Sequence, residues 1–255
     1  MSEMNFSNRI EIIDALRGFS VFLMVIHHFL FNIHVFLGAP RWVFFNPAFT
    51  VLAPFFAGVF IFLAGVSSRF AASNIKRGLK VLALAAGITV VTYFIGMPIW
   101  FGVLHLLGFS MVFFGLTYKF WDFIPRHVAH FLFVILIVGG AFWANASAIP
   151  NYVAWVLGFG PPGRAFLFSY DFFPLVPWLF VFLLGTWVGI YIKELKLPEW
   201  FYDFPFPAFP KTGLKAILVF IFYLFSKIGR KSLLIYVVHQ PVLYGAVMGV
   251  VFLRG

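Results

Sequence analysis

His27 and His28 lie side by side in the stretch Ile13–Phe29, IDALRGFSVFLMVIHHF, where most other residues are apolar. An imidazole can take a proton from a nucleophile, return one to a leaving group, or carry an acyl group on a ring nitrogen. Arg17 stands eleven residues before His28. On a helix, eleven steps make three turns plus about 20°, so both side chains share one face, about 16 Å apart along the axis. Asp14, three residues before Arg17, is placed to hold its guanidinium. The spacing predicts a basic mouth at Arg17 and a reactive imidazole deeper in, at His28. The plainer reading of His28 is a hydrogen bond that glues two helices. His27 projects about 100° away and reads as a packing residue or a support for His28.

These histidines are costly to keep because of their surroundings. The chain has 255 residues, of which 63% are hydrophobic and 10% charged, with a mean hydropathy of +1.01. A soluble domain carries roughly 25% charged residues, so the medium must be lipid. Ionisable groups at membrane depth usually face a cavity or a partner. Glu11 and Asp14 precede the first apolar run and no small-residue cleavage site follows it, so that run is expected to stay as a membrane helix. Cysteine is absent, which excludes disulfides, thiolate metal sites and thiol nucleophiles. The net charge of +10 is assigned to orientation and anionic headgroups, not nucleic acid.

The fold class expected is all-α: a polytopic transmembrane helix bundle forming one domain over residues 1–255. Seven spans are read, at about 16–37, 48–70, 79–97, 100–119, 127–145, 172–193 and 231–253. The stretch 213–226 is short and basic at its start, and is read as an interfacial or partly inserted helix; a full crossing would make eight spans. With a cytoplasmic N-terminus, all of the 18 Lys and Arg except Arg41, Arg164 and Arg254 fall on the inner side. That split predicts an integral protein of the plasma membrane with its N-terminus inside. The segment 146–171 becomes an outer loop, broken by Gly158–Gly163, and the proline-rich segment 194–212 an inner one.

Further polar residues interrupt or border the spans. His239 and Gln240 sit near the middle of the last one, next to Pro241, which cannot donate an amide hydrogen and disturbs the preceding turn. A kinked packing site is the simpler account of them. His34 lies toward the outer surface, His105 one turn into the fourth span, and Asp171 at the outer end of the sixth. Lys76, Arg77 and Lys80 cluster near Asn74 and Arg69 on the inner side. Such cations set topology and can also grip phosphates. Trp155, Tyr152 and Tyr170 could stack on a sugar ring. No HExxH and no i, i+4 histidine pair occurs, so no metal site is expected.

Six segments, DALRG (14–18), FIFLAGVSSRF (60–70), KRGLK (76–80), FGVLHLLGFS (101–110), DFFPLVPW (171–178) and IGRKSLLIYVVHQPVLYG (228–245), occur in an order that resembles the heparan-α-glucosaminide N-acetyltransferase catalytic-domain family. That family lies within the multi-spanning membrane acyltransferases, where Arg, ten residues and His recur in the first helix, as at Arg17 and His28. The resemblance implies acyl transfer across a membrane from cytoplasmic acetyl-CoA, as co-substrate, to an amino or hydroxyl acceptor, commonly a glycan, reached from outside. It also implies an essential histidine beyond the first helix, whose nearest counterpart here is His34. His28, His34 and His239 are thus the candidates for catalysis. Arg17, Lys76, Arg77, Lys80 and Arg230 would hold the phosphates of CoA. Asp171, His105 and Gln240 would meet the acceptor, with His239 and Gln240 orienting His28 or stabilising an oxyanion. The competing class is a transporter or flippase with a midplane histidine site. Self-association is compatible with the sequence.

Overall fold

The computed structural model describes residues 10–146, 152–159, 169, 171–194 and 213–254. Arg9, Arg164, Tyr170, Lys196 and most of the segments 146–171 and 194–212 lie outside these residues, as do the side chains of Arg126 and Tyr152. The described chain is all-α. Its helices are α1 (Glu11–Leu37), α2 (Arg41–Phe44), α3 (Pro47–Ser68), α4 (Asn74–Phe94), α5 (Val103–Asp122), α6 (Arg126–Ala146), α7 (Tyr152–Leu157), α8 (Leu175–Glu194), α9 (Leu214–Arg230) and α10 (Ser232–Arg254). Among the described residues seven are long and apolar enough to cross a membrane: α1, α3, α4, α5, α6, α8 and α10. They correspond to the seven apolar runs of the sequence, and the protein is an integral membrane protein.

The helix ends differ by a few residues from the ends of the apolar runs, for local reasons. Helix α1 begins at Glu11, ahead of the apolar run, because Glu11 and Asp14 suit the positive N-terminal end of a helix. It stops at Gly38, whose φ of 69° is the left-handed conformation glycine adopts without strain. Helix α4 begins at Asn74 because the Ser73 hydroxyl accepts the Lys76 amide hydrogen at 3.3 Å. The residues form two compact units, Met1–Phe60 with Lys196–Gly255, and Ile61–Leu195.

In the first unit α9 runs antiparallel along α1 and α10 runs parallel to it. The α1–α9 crossing is a backbone contact. A side-chain carbon at Gly18 would overlap the Phe225 carbonyl, and one at Gly229 would overlap that of Asp14. Small residues permit such close approach between helices in a bilayer, where packing has to replace the hydrophobic effect. Phe225 closes the contact edge-on against Phe19 and tilted against Phe22, with ring centroids 5.2 and 5.6 Å apart. The opposite stripe of α9, Leu214, Ile217, Leu218, Ile221 and Leu224, is exposed. Its 17 residues reach about 26 Å, slightly less than a hydrocarbon core of about 30 Å.

In the second unit α4 packs on α5, α6 on α8 and α5 on α8. The C-terminal half of α3 meets α8 through Gly65 and Gly185, each opposite a backbone carbonyl of the other helix. Arg69 fastens this unit. It makes two bonds to the Asp122 carboxylate, at 3.0 and 2.5 Å, donates to the Thr186 carbonyl at 2.8 Å, and lies 4.8 Å over the Phe114 ring. A planar guanidinium suits such simultaneous carboxylate, carbonyl and aromatic contact.

Candidate active site

Two spanning helices of the first unit bring His28 and His239 together. Their ring centroids are 5.0 Å apart and their planes inclined by 54°. Helix α1 contributes His28 and α10 contributes His239, two residues before Pro241 within that helix. The His239 Nδ1–H donates to the Tyr236 carbonyl at 2.6 Å. This bond fixes the tautomer, since a carbonyl only accepts. Nε2 is then the lone-pair nitrogen, and it is buried with no hydrogen-bond partner among the described residues. A fixed ring with a free lone pair can accept a proton or position a neighbouring imidazole.

One turn farther along α1, Asn32 is fully buried, at 0% exposure. Its Oδ1 accepts from the Gln240 amide at 3.2 Å. The other end of each amide, Asn32 Nδ2 and Gln240 Oε1, is buried and has no partner among the described residues. Asn32 was overlooked in the sequence, although its i+4 spacing from His28 on one face was the available signal.

The mouth at the start of α1 is more crowded than the sequence suggested. Arg17 pairs with Asp14 at 3.0 Å. Arg230 pairs with Glu11 and stands 4.0 Å from the second Asp14 oxygen, and the Ser226 hydroxyl also donates to Glu11. Two cations thus face two carboxylates, and Glu11 and Asp14 are both buried. Glu11 and Ser226 carried no role in the sequence reading; the α1–α9 crossing brings them in.

The other candidates lie elsewhere. His27 packs among Phe44, Phe49 and His28, with centroids 4.9, 6.2 and 5.7 Å away. His34 belongs to the last turn of α1, where its Nδ1–H donates to the Ala39 carbonyl at 2.7 Å and its ring meets Phe45. Six residues beyond His28, it points about 240° around the helix, so the two do not share a face. In the second unit Lys76, Arg77 and Lys80 are exposed on the first turns of α4. His105 and Asp171 both serve the start of α5. The Gly102 amide donates to His105 Nδ1 at 3.2 Å, His105 Nε2–H donates to the Thr89 hydroxyl at 3.1 Å, and the Val103 amide donates to Asp171 Oδ2 at 3.2 Å. Trp155 stacks on Phe172 at 4.1 Å. No group of three or more His, Asp or Glu among the described residues is arranged to hold a metal.

A family model described as heparan-alpha-glucosaminide N-acetyltransferase, catalytic, matches residues 9–241. The chain belongs to that family. The match runs from the start of α1 through His239, Gln240 and Pro241, so both facing imidazoles fall inside the heparan-alpha-glucosaminide N-acetyltransferase catalytic region, which ends within α10. The chain is therefore a membrane protein of an acetyltransferase family. No curated protein and no solved structure matches it.

Proposed function

We propose that the chain, acting as one domain, moves an acetyl or short acyl group from cytoplasmic acyl-CoA to an amino or hydroxyl group of a sugar-like acceptor reached from the outer side. The single observation that carries this reading is the pairing of His28 with His239 between two spanning helices, in a chain of this family. A polyanion such as CoA cannot enter hydrocarbon, so its phosphates stay at a basic surface while the thioester reaches inward. The cations proposed for such a surface are Arg17 and Arg230 in the first unit or, as a separate candidate set, Lys76, Arg77 and Lys80 in the second.

At the thioester, His28 takes the proton of the acceptor as the acceptor oxygen or nitrogen attacks the acyl carbon. The new carbon–oxygen or carbon–nitrogen bond forms, the carbon–sulfur bond breaks, and the proton goes to the departing sulfur, giving CoA thiol. His239 holds the His28 ring in position. A covalent acyl-imidazole on His28 is the variant in which the same exchange occurs in two steps. His34, His105 and Asp171 remain proposed for the acceptor's approach. The distribution of Lys and Arg supports a cytoplasmic N-terminus, and the plasma membrane is the location proposed with it. A transporter would bind CoA without consuming it, and the family does not favour that reading.

The test is acetyl transfer from radiolabelled acetyl-CoA in sealed, inverted membrane vesicles that contain the full chain and a mixture of amino sugars. Labelled product inside the vesicles supports the reading. Bound acetyl-CoA recovered intact, with solute moved instead, supports the transporter.

A further inference from the structure

Two half-used amides stand within one helical turn of the imidazole pair. Asn32 follows His28 by four residues, a rise of about 6 Å on the same face of α1. Gln240 follows His239 directly. The one bond between them runs from the Gln240 amide nitrogen to Asn32 Oδ1. Asn32 Nδ2, a double donor, is left without a partner in a residue that is fully buried. Gln240 Oε1, an acceptor, is left in the same state. An unpaired buried polar group is costly, so two in contact with each other and beside two histidines call for a ligand that satisfies both.

We infer that Asn32 Nδ2 donates a hydrogen bond to the carbonyl oxygen of the acyl thioester, and that Gln240 Oε1 accepts the second N–H of an attacking amine, the hydrogen that His28 does not take. This inference rests on the acyl-CoA reading above and divides the roles within it. Negative charge develops on the carbonyl oxygen as the acceptor attacks, and it needs a donor fixed in advance. Gln240 is poorly suited to that task, because its open end is a carbonyl. Asn32 presents the donor, and its other end is anchored by Gln240, so its orientation is set before substrate arrives. Gln240 in turn presents an acceptor to the hydrogen that an amine keeps during attack, which favours amines over hydroxyls, whose single hydrogen goes to His28.

The experiment uses the full chain in nanodiscs with acetyl-CoA carrying carbon-13 at the carbonyl. Isotope-edited infrared difference spectra read the polarisation of that bond without any acceptor. In the wild type the bound carbonyl band is expected below its solution frequency. In Asn32→Leu it is expected back at the solution position, with the affinity for free CoA, which lacks that carbonyl, unchanged, and acetyl transfer is expected to fall about a hundredfold. If Asn32→Leu does not fold, Asn32→Leu with Gln240→Leu removes both amides and leaves neither unpaired. A band that is the same in the wild type and the variant overturns the role of Asn32 and leaves the acyl-CoA reading standing. Failure of the wild type to bind acetyl-CoA at all overturns the acyl-CoA reading, and the role of Asn32 with it.

Discussion

His28 on α1 and His239 on α10 face each other with ring centroids 5.0 Å apart, and the second ring is tied by its Nδ1–H to the Tyr236 carbonyl. One imidazole is anchored to backbone and the other is not, so their roles should separate. His28→Ala is expected to reduce acetyl transfer by about a hundredfold or more while the protein still inserts and elutes as a single species. His239→Ala should cost less, since a ring that positions another can be partly replaced by water. His34→Ala should retain most activity, because that ring serves the end of α1 and faces away from the pair. Radiolabel transfer with the three variants side by side checks the order, and a His34 variant as dead as the His28 variant would reverse the assignment.

The glycine contact between α1 and α9 yields a stability prediction. Gly18→Val or Gly229→Val places carbon where the Phe225 or Asp14 carbonyl already sits. Overpacking of this kind costs about 1–3 kcal/mol, and here the obstacle is backbone, which gives less readily than a side chain. Both variants should melt several degrees lower in detergent. Gly245→Val, where nothing lies within 4 Å, should not.

Much of this fold could be read from the sequence, because lipid demands long apolar runs and the seven read here mostly end at Gly, Pro or charge. The partners of the polar residues were harder to foresee. His28 and His239, or Asn32 and Gln240, meet only through the packing of α10 along α1, and no local pattern encodes that pairing. His105 and Asp171 looked like residues waiting for an acceptor. Both bond to the backbone at the first turn of α5. The three-residue spacing from Gly102 to His105 was the visible sign of a helix start, since a side chain at that position can reach back to the cap amide. Arg69, grouped by sequence with the inner cations, holds three elements of its unit together.

The α5 cap therefore gives a test that separates folding from substrate handling. Asp171→Ala removes an acceptor from a helix N-terminus, a change worth about 1 kcal/mol. It is expected to lower the melting temperature of the protein. If Asp171 also meets the acceptor, the KM for the acceptor rises beyond what the loss of folded protein explains, and kinetics at a temperature well below the melting point show the difference.

Cations in ion pairs and cations in the open should respond differently to charge reversal. Arg230 is engaged with Glu11, and its removal leaves a buried carboxylate with, among the described residues, no cation against it and only the Ser226 hydroxyl as donor. Arg230→Ala should act first on stability. Lys76, Arg77 and Lys80 are exposed, so Lys76→Glu with Lys80→Glu should leave the melting temperature nearly unchanged. If those lysines attract CoA phosphates, the double variant raises the KM for acetyl-CoA several-fold with little change in kcat, and the penalty grows as salt is lowered, because repulsion at a surface is screened by ions. A KM that does not move assigns these lysines to topology alone.

The orientation of the chain can be tested directly because it contains no cysteine, so one introduced thiol is the only one present. Lys76→Cys, on the exposed first turn of α4, should react with a membrane-impermeant maleimide only after cells are permeabilised. Arg41→Cys, on the exposed short helix that follows α1, should react in intact cells. The two positions flank the span formed by α3, so a single crossing must separate them. The distribution of Lys and Arg puts Lys76 inside. The reverse labelling pattern would turn the protein over, place Arg17 and the cations of α4 on the outer face, and remove cytoplasmic CoA as the donor they could hold.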